Sequence, residues 1–258
     1  MEELEHLIKE YQARFKDSIN YIEQHKILLT YSSATLEGST LSLIDTEFLV
    51  KEGRTPLGKP LEHSLMAKDH FHALSFVLDE AQKKTPITEK FIKTIGGMVR
   101  EHTGSLRETM LGTFDERKGD YRLLPVHANV LQADGSIKSI SYPDLKKVPA
   151  LMKWFCEFMA SKLNAVSRAE EAYNLSYDAH YHLRRIHPFS DGNSRTSRLL
   201  MNYVQAYHGY PVTPVNAQHR AGYIKSFYES SKTDSSPMRA FLLNETKQFL
   251  SDMTGRNG

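Results

Sequence analysis

Apolar side chains recur at helical spacing through most of this 258-residue chain. Within 63–83, for example, Leu74, Val77 and Leu78 fall on one face of a helix. A chain with this pattern can bury its apolar faces only by packing helix against helix, so we expect an all-α fold. The predicted helices are 1–26, 41–50, 63–83, 88–102, 148–163, 170–186, 217–230 and 237–252, with another beginning near residue 193.

One segment, 112–142, departs from the helical pattern. It reads GTFDERKGDYRLLPVHANVLQADGSIKSISY, and Asp134-Gly135 separates the runs VHANVLQ and SIKSISY. An Asp-Gly pair between two such runs is typical of a tight β-hairpin turn, because both residues tolerate positive φ. We therefore predict one small β-hairpin within the helical domain.

The composition bounds the class of protein. Hydrophobic residues at 40% and charged residues at 25% are ordinary for a globular chain, and the length suits one main unit with accessory pieces. The net charge is only +2, and without a long Lys/Arg run we expect no nucleic-acid partner.

Neither targeting nor redox chemistry stands out. No stretch approaches the ~18 apolar residues of a membrane span, and MEELEHLIKE lacks a signal peptide's apolar core. The single cysteine, Cys156, excludes an internal disulfide and lies in an apolar helical pattern, so we expect a buried hydrophobe rather than a nucleophile. These features favour a cytoplasmic protein without a membrane partner.

The segment HPFSDGNSRTSR, residues 187–198, concentrates groups that bind phosphates. A helix is predicted to begin near Asn193, so the preceding loop meets a helix N-terminus, whose N–H groups and dipole attract anions. Gly192 lets the backbone approach a ligand closely, and Arg195 and Arg198 add two fixed positive charges to the first turns. Together these groups predict a cradle for a polyphosphate.

Two further side chains of this segment suit the chemistry of a bound nucleotide. A nucleotide normally brings Mg²⁺, which needs a carboxylate, and Asp191 is placed to supply it. Histidine titrates near neutrality, so His187 suits the removal of a proton from an attacking hydroxyl. Each group alone is more often plain loop chemistry, but their combination favours phosphoryl or nucleotidyl transfer.

The same segment resembles the signature of the Fic family, HxFx(D/E)GNGRxxR. Ser194 stands where the signature has its second glycine. The stretches AEEAYNLSYDAHYHLRRI, LMKWF and RAGYIKSFYES are also similar to the family in order and spacing, over most of residues 60–250. Seven of the eight specified positions match, namely His187, Phe189, Asp191, Gly192, Asn193, Arg195 and Arg198.

The resemblance implies a Fic-type helical domain over 59–252, after N-terminal helices and before a short tail at 253–258. It implies transfer of AMP from ATP to a Ser, Thr or Tyr hydroxyl of a protein target, with release of pyrophosphate. His187 would be the general base, Asp191 would hold Mg²⁺, and Phe189 would anchor the loop in the core.

The resemblance also assigns the nucleotide ligands and the hairpin. Arg198 would pair with the γ-phosphate, and the hairpin at about 112–142 would be the family's flap, which aligns the target by strand addition. Homodimerisation is a further family expectation. The residues implied in nucleotide binding are Gly192, Asn193, Ser194, Arg195, Arg198 and Tyr223.

A second stretch, SSATLEG at 32–38, complements the first. Gly38 is a natural residue to end a helix, and Glu37 in its last turn opposes the helix dipole, which hints at a partner elsewhere. The stretch resembles the family's inhibitory motif (S/T)xxxE(G/N), with Ser33, Glu37 and Gly38 in register. The resemblance implies an inhibitory helix at about 28–38, whose Glu37 pairs with Arg198 in place of the γ-phosphate.

Ser194 leaves alternatives open. Its Cβ would crowd a phosphate if glycine's φ were needed, whereas in a helical conformation its hydroxyl could donate a hydrogen bond. The same site could use another nucleotide, or remove AMP with Glu37 positioning a water. If Ser194 disables catalysis, the chain would be a nucleotide-binding regulatory protein.

Other candidates have plainer interpretations. Arg117, Lys118 and Arg122 could attract an acidic target, but their composition favours a solvated surface. For Tyr223, core packing competes with a place near the nucleotide. His180 and His182 face different directions on a helix and make a poor metal pair.

Overall fold

The computed structural model describes residues 2–15, 19–131 and 137–255, which form mainly helices joined by short loops. The helices are α1 (Glu2–Phe15), α2 (Ile19–Leu36), α3 (Leu43–Glu52), α4 (Leu61–Gln82), α5 (Glu89–Met98), α6 (Val148–Leu163), α7 (Ala169–Ile186), α8 (Asn193–Tyr207), α9 (Arg220–Ser230) and α10 (Ser236–Thr254). The strands are β1 (Leu106–Thr109), β2 (Gly112–Asp115), β3 (His127–Leu131) and β4 (Ile137–Ser141). The predicted helical class with a small hairpin is confirmed.

The boundaries differ most where helical periodicity runs through a turn. The segment 1–26, predicted as one helix, contains α1 and the start of α2, which continues to Leu36. The predicted helix 88–102 ends at Met98, although Thr88 is its N-cap and accepts the Phe91 N–H as expected. The predicted helix 217–230 begins with a 3₁₀ turn before α9.

The β structure contains one hairpin that the sequence predicted and one that it did not. Strands β3 and β4 pair antiparallel, with His127 opposite Ser141, while the predicted Asp134-Gly135 turn lies outside the described residues. Strands β1 and β2 form a second antiparallel pair. Its turn contains no Asn-Gly or Asp-Gly pair. The Thr109 side chain closes the turn instead: its hydroxyl accepts from the Leu111 N–H and donates to the Gly112 carbonyl.

Helices α7 and α8 run through the centre of the molecule. One face of α7 packs Ala179 and Leu183 into a large apolar cluster with α4, α5, α6 and α8, and its other face packs Tyr173 and Tyr177 against α1, α9 and α10. The predicted apolar positions of α8 are fully buried, namely Leu199, Leu200, Tyr203 and Val204. The loop between these two helices is therefore mounted on rigid, buried elements.

The N-terminal helices pack onto this centre through a third, smaller cluster. Ala34 of α2, Leu49 of α3 and Met66 of α4 belong to it, together with Leu41 and Ala67. The Arg220 side chain donates to the Leu36 carbonyl at 2.9 Å, which ties the end of α2 to α9. The C-terminal end of α2 consequently has a defined place beside α8.

Two smaller expectations can be compared with the structure. None of the helices in the described part of the chain is long and apolar enough to cross a membrane. Cys156 is half-buried on α6, and burial raises the pKa of its thiol to about 12, so it is a poor thiolate nucleophile.

Two glycines with positive φ form a matched pair for testing this packing. Gly119 (φ +66°) ends the 3₁₀ turn Glu116–Lys118, and a Cβ there would collide with the Lys93 carbonyl, whereas Gly58 (φ +73°) has open space. Gly58→Ala should cost about 1 kcal/mol from backbone strain alone. Gly119→Ala should cost about 3 kcal/mol or more, because the backbone must also shift. Chemical denaturation of both variants checks this, and equal losses would contradict the packing described here.

Candidate active site

The loop between α7 and α8 starts from a left-handed residue. His187 ends α7 with φ 54° and ψ 59°, a conformation that costs a non-glycine residue about 1–2 kcal/mol. The buried Arg122 side chain holds the loop there: its Nε donates to the His187 carbonyl at 2.8 Å, and its backbone N–H donates to the Pro188 carbonyl at 2.9 Å. The remaining Arg122 nitrogens donate to the Leu124 and Pro143 carbonyls.

The expectation of a solvated Arg122 is wrong, although Arg117 and Lys118 are exposed as expected. Arg122 is 1% exposed, and burial lowers the pKa of its guanidinium. Backbone carbonyls take the place of a carboxylate partner because several chain segments converge on this side chain. The apolar surroundings in YRLLPV were the only sequence signal for its burial.

Phe189 and Asn193 close the loop from within. The Asn193 side chain accepts from the Phe189 N–H at 2.9 Å and donates to the Phe189 carbonyl at 2.8 Å. The Phe189 ring is buried against Gly96, where a Cβ would overlap it. Phe189 thus lies in the core as the resemblance implied. The Asn193 amide is thus engaged in holding the loop, through both its oxygen and its nitrogen.

The imidazole of His187 is neutral, and the Arg184 carbonyl fixes its orientation. Its Nδ1 lies 3.3 Å from the Arg184 carbonyl, so Nδ1 carries the proton and Nε2 is left as the acceptor. Burial lowers the pKa of His187 to about 3. The Tyr142 ring, just after β4, stacks on the imidazole with the ring centres 3.7 Å apart. The imidazole is therefore neutral, with Nε2 available as an acceptor, at any pH near neutrality.

The start of α8 has the geometry of an anion site. Gly192 is the N-cap with φ 80°, and the first turn of a helix leaves its N–H groups without intrahelical acceptors. Ser194 lies within this first turn, and the described non-glycine residues with positive φ are only Lys84 and His187. The Ser194 position therefore needs no glycine, which favours the hydrogen-bonding alternative for its side chain.

Arg198 is held by the end of α2. Its terminal nitrogen donates to Glu37 Oε1 at 2.7 Å and to the Ser33 carbonyl at 3.1 Å, while its Nε donates to Ser33 Oγ at 2.9 Å. Burial acts to raise the pKa of Glu37, but the charge and hydrogen bond of Arg198 outweigh it and lower that pKa. Gly38 follows with φ +97° and lets the chain leave the helix end.

The buried Tyr223 contacts the Arg198 guanidinium. It is 2% exposed, and its hydroxyl accepts from Arg198 at 3.2 Å and lies 2.8 Å from Nε2 of the buried His180. Burial, with the nearby Arg184 and Arg198 charges, lowers the pKa of His180 well below its usual value. Tyr223 therefore supports the arginine, and His180 is a buried partner of Tyr223 rather than a metal ligand.

Asp191 faces a cleft of about 190 Å³. Its side chain is 57% exposed, and its Oδ2 lies 2.6 Å from a nitrogen of Arg100 and 3.5 Å from a nitrogen of Arg195. An accessible carboxylate beside a helix N-terminus could hold Mg²⁺, which takes one or two carboxylates and completes its shell with water and phosphate. The residues lining the cleft are Glu37, Glu62, His63, Met66, Arg100, Thr103, Asp191 and Arg195.

Glu116 connects this cleft to the unpredicted hairpin. Its buried carboxylate accepts from Arg100 at 3.1 Å, Arg107 at 3.2 Å, the Ser105 N–H at 3.0 Å and the Ser190 hydroxyl at 2.6 Å. Burial acts to raise the pKa of Glu116, but these hydrogen bonds outweigh it and lower the pKa to about 2. Sequence reasoning missed both Glu116 and Arg100. Glu116 lies in DERK, which looks like a solvated run of charges, and no local pattern marks Arg100 as buried.

With this geometry established, the chain can be compared with known proteins. Residues 86–205 match the model of the Fic/DOC family. Protein adenylyltransferase Fic of Aedes aegypti is 29% identical over 226 residues, which cover 85% of this chain and 40% of that protein. Protein adenylyltransferase fic-1 of Caenorhabditis briggsae is 24% identical over 246 residues, covering 88% and 41%. The chain thus spans about two fifths of the length of these relatives.

Solved structures share the fold. A Fic-domain-containing signaling protein from Bacteroides thetaiotaomicron has a TM-score of 0.77 and 23% identity, with 98% of this chain and 96% of that chain covered. A Fic-1 fragment from C. elegans has a TM-score of 0.77 and 20% identity, with 98% and 70% covered. Both similarities concern the arrangement of the helices.

Glu116 and Glu171 provide a matched test of the buried carboxylate network. Both have a pKa lowered to about 2, but Glu116 is buried, whereas Glu171 makes its bonds with Arg168 and Ser167 at the surface. Glu116→Gln should lower the free energy of unfolding by about 3 kcal/mol, because the buried Arg100 guanidinium loses a charged partner. Glu171→Gln should leave it nearly unchanged, since surface pairs contribute little. Urea denaturation measures both, and a stable Glu116→Gln protein would contradict the role of Glu116.

Proposed function

We propose that this chain, which matches the Fic/DOC family model over residues 86–205 and is distantly related to protein adenylyltransferases, transfers AMP from ATP to a hydroxyl group of a protein target. The observation that carries the proposal is the position of His187. Its free Nε2 belongs to the loop that leads directly into the N-terminus of α8, where Arg195 and Arg198 lie. A proton acceptor and a phosphate cradle are thereby mounted on one rigid loop.

The phosphates would bind along the start of α8. Its first N–H groups and the Arg195 guanidinium favour the negative charge, and Arg198 would pair with the γ-phosphate once Glu37 leaves it. Asp191 would hold Mg²⁺, which neutralises phosphate charge in nucleotidyl transfer.

The transfer itself requires one proton acceptor. His187 Nε2 takes the proton of the target hydroxyl, the hydroxyl oxygen bonds to the α-phosphorus, and the bond from that phosphorus to the bridging oxygen breaks with release of pyrophosphate. The Arg184 carbonyl accepts from Nδ1–H and stabilises the imidazolium that forms. Because Tyr142 covers one face of the ring, the hydroxyl approaches along the edge that bears Nε2.

The hairpin of β3 and β4 is suited to present the target. A groove beside it is lined by residues of both strand ends and leads to Tyr142, next to His187. An extended target segment that adds to a sheet edge gains main-chain hydrogen bonds irrespective of its side chains. The flap would therefore set the target register, with its hydroxyl residue placed at the Nε2 edge of the imidazole.

Glu37 would restrain this activity. The carboxylate holds the guanidinium that the γ-phosphate needs, in a charge-assisted bond inside a partly buried cleft. ATP would then bind without its γ-phosphate anchored, so its α-phosphorus would be misaligned for attack. Ser33 strengthens the restraint with its two further contacts to Arg198.

A second candidate activity is the hydrolytic removal of AMP from a modified protein. Glu37 lines the same cleft as Asp191, so its carboxylate could position a water there. The mass of the product separates the two reactions, because a modified protein gains one AMP in the first and loses one in the second.

Glu37→Gly should raise labelling of protein by α-labelled ATP and Mg²⁺ in a cell lysate by about ten-fold or more, the scale of one charge-assisted contact. Adding His187→Ala to that variant should abolish the label, because the proton acceptor is gone. Ser194→Gly provides a control for the unusual signature position and should change the rate modestly. Label that is equal in the native and Glu37→Gly proteins would contradict the restraint, and label that survives His187→Ala would contradict the base.

The pH dependence should report the lowered pKa of His187. A histidine with its usual pKa would lose its basic form below pH 6.5, whereas a pKa of about 3 keeps this one neutral. We expect kcat/KM of the Glu37→Gly variant to show no acid limb between pH 8 and about pH 5. Initial rates in buffers of constant ionic strength test this, and a ten-fold fall per pH unit below 6.5 would contradict it.

A further inference from the structure

Arg100 bridges two carboxylates at the edge of the cleft. One terminal nitrogen of its guanidinium lies 2.6 Å from Asp191 Oδ2, and the other lies 3.1 Å from Glu116 Oε2. The Arg100 side chain is 9% exposed, whereas that of Asp191 is 57% exposed. The arginine is thus anchored on the buried Glu116 and reaches outward to the carboxylate at the cleft.

The oxygens of Asp191 that a metal ion would need are already engaged. Oδ1 accepts from the Gly192 N–H at 2.6 Å, and Oδ2 faces both Arg100 and Arg195. A carboxylate oxygen offers two lone pairs, and two arginine nitrogens approach this one. A divalent cation at Oδ2 would also lie beside two fixed positive charges, which raises its energy in a partly desolvated cleft.

The two arginines have unused donors on the same side of the molecule. Among the described residues, the buried Nε atoms of Arg100 and Arg195 belong to the small set without a hydrogen-bond partner. Both side chains line the cleft that also contains Asp191 and Glu37. Buried guanidinium N–H groups without acceptors are costly, and phosphate oxygens are acceptors that arginine binds in two-point geometry.

We propose that Arg100 is the internal counter-cation of Asp191, so that Arg100 and a divalent cation exclude one another on this carboxylate. The inference rests on the proposed function only in taking Asp191 as the metal ligand. Without nucleotide, Arg100 occupies Asp191 and the site binds metal weakly. When phosphates enter, Arg100 turns to them and Asp191 is released, so metal binds together with nucleotide.

Arg107 provides the matched control for Arg100. Both arginines donate to Glu116, but only Arg100 contacts Asp191, and Arg107 extends from strand β1 with half of its side chain exposed. Replacing Arg107 therefore disturbs Glu116 without freeing Asp191. A change specific to the Arg100 variant must come from its contact with Asp191.

The test is a titration with Mn²⁺ as a probe for Mg²⁺, in which electron paramagnetic resonance measures the free ion. Without nucleotide, Arg100→Gln should bind one Mn²⁺ about ten-fold more tightly than the native chain, the scale of one charge-assisted hydrogen bond. Arg107→Gln should bind like the native chain. Adding Asp191→Asn to Arg100→Gln should abolish the gain.

A second variant guards against a folding defect from the unpaired Glu116. Arg100→Gln combined with Glu116→Gln removes both charges, and a pair replaced together leaves no buried charge uncompensated. This protein should also bind Mn²⁺ more tightly than the native chain, because Asp191 is free in it. The inference is overturned if neither variant gains affinity, if Arg107→Gln gains as much, or if the gain survives Asp191→Asn.

Repeating the titration with ATP, against a protein-free blank for the Mn²⁺ that ATP itself binds, separates this inference from the proposed function. If the native chain binds Mn²⁺ only with ATP, and the Arg100 variants gain nothing without it, the counter-cation role fails while the proposed function stands. If no variant binds Mn²⁺ with or without ATP, Asp191 is not a metal ligand and both fail.

Discussion

The guanidinium of Arg198 joins the end of α2 to helix α8, which follows the loop that carries His187. It is buried, and it contacts Glu37 and Ser33 at the end of α2 and Tyr223 on α9. Breaking one side of such a pair is costly unless another anion replaces it, because the guanidinium would be left buried without a charged partner. The position of Glu37 is itself secured, since α2 packs on α4 and its last carbonyl is held by Arg220. The contact between Glu37 and Arg198 is therefore part of the folded domain.

The cleft as a whole is internally neutralised. Arg198 forms an ion pair with Glu37, and Arg100 forms ion pairs with both Asp191 and Glu116. Under the proposed function, nucleotide binding is an exchange of partners: phosphates take the arginines and the displaced carboxylates become free. Such an exchange lets a site be strongly charged yet stable at rest. The affinity for ATP would then depend on how much stronger the arginine–phosphate pairs are than the arginine–carboxylate pairs they replace.

Residues close together in the sequence were predictable, and those brought together by packing were not. His187, Asp191, Arg195 and Arg198 lie within one loop and the helix that follows, so helical period and loop chemistry place them together. The Glu37–Arg198 contact joins residues 161 positions apart, and only the family resemblance suggested it. The helical core followed from periodicity because α7 and α8 bury apolar residues at regular spacing.

No periodicity or motif in the sequence indicated the contacts of Arg100, Glu116 and Arg122. Charged residues in a sequence are usually solvated, and nothing local shows that several segments converge on one guanidinium or carboxylate. The hairpin of β1 and β2 was also not predicted, because a threonine side chain closes its turn in place of an Asn-Gly or Asp-Gly pair. For the three charged residues, the partners lie mostly in other segments of the chain, which periodicity does not report.

The central claim is that Glu37 and the γ-phosphate compete for Arg198, and calorimetric titration with ATP and with ADP tests it most directly. In the native chain the γ-phosphate should add almost nothing to affinity, so ATP and ADP should bind about equally. In Glu37→Gly, ATP should bind about ten-fold more tightly than ADP, because Arg198 is free to pair with the additional phosphate. The same ratio of affinities in both proteins would show that Glu37 does not hold the place of the γ-phosphate.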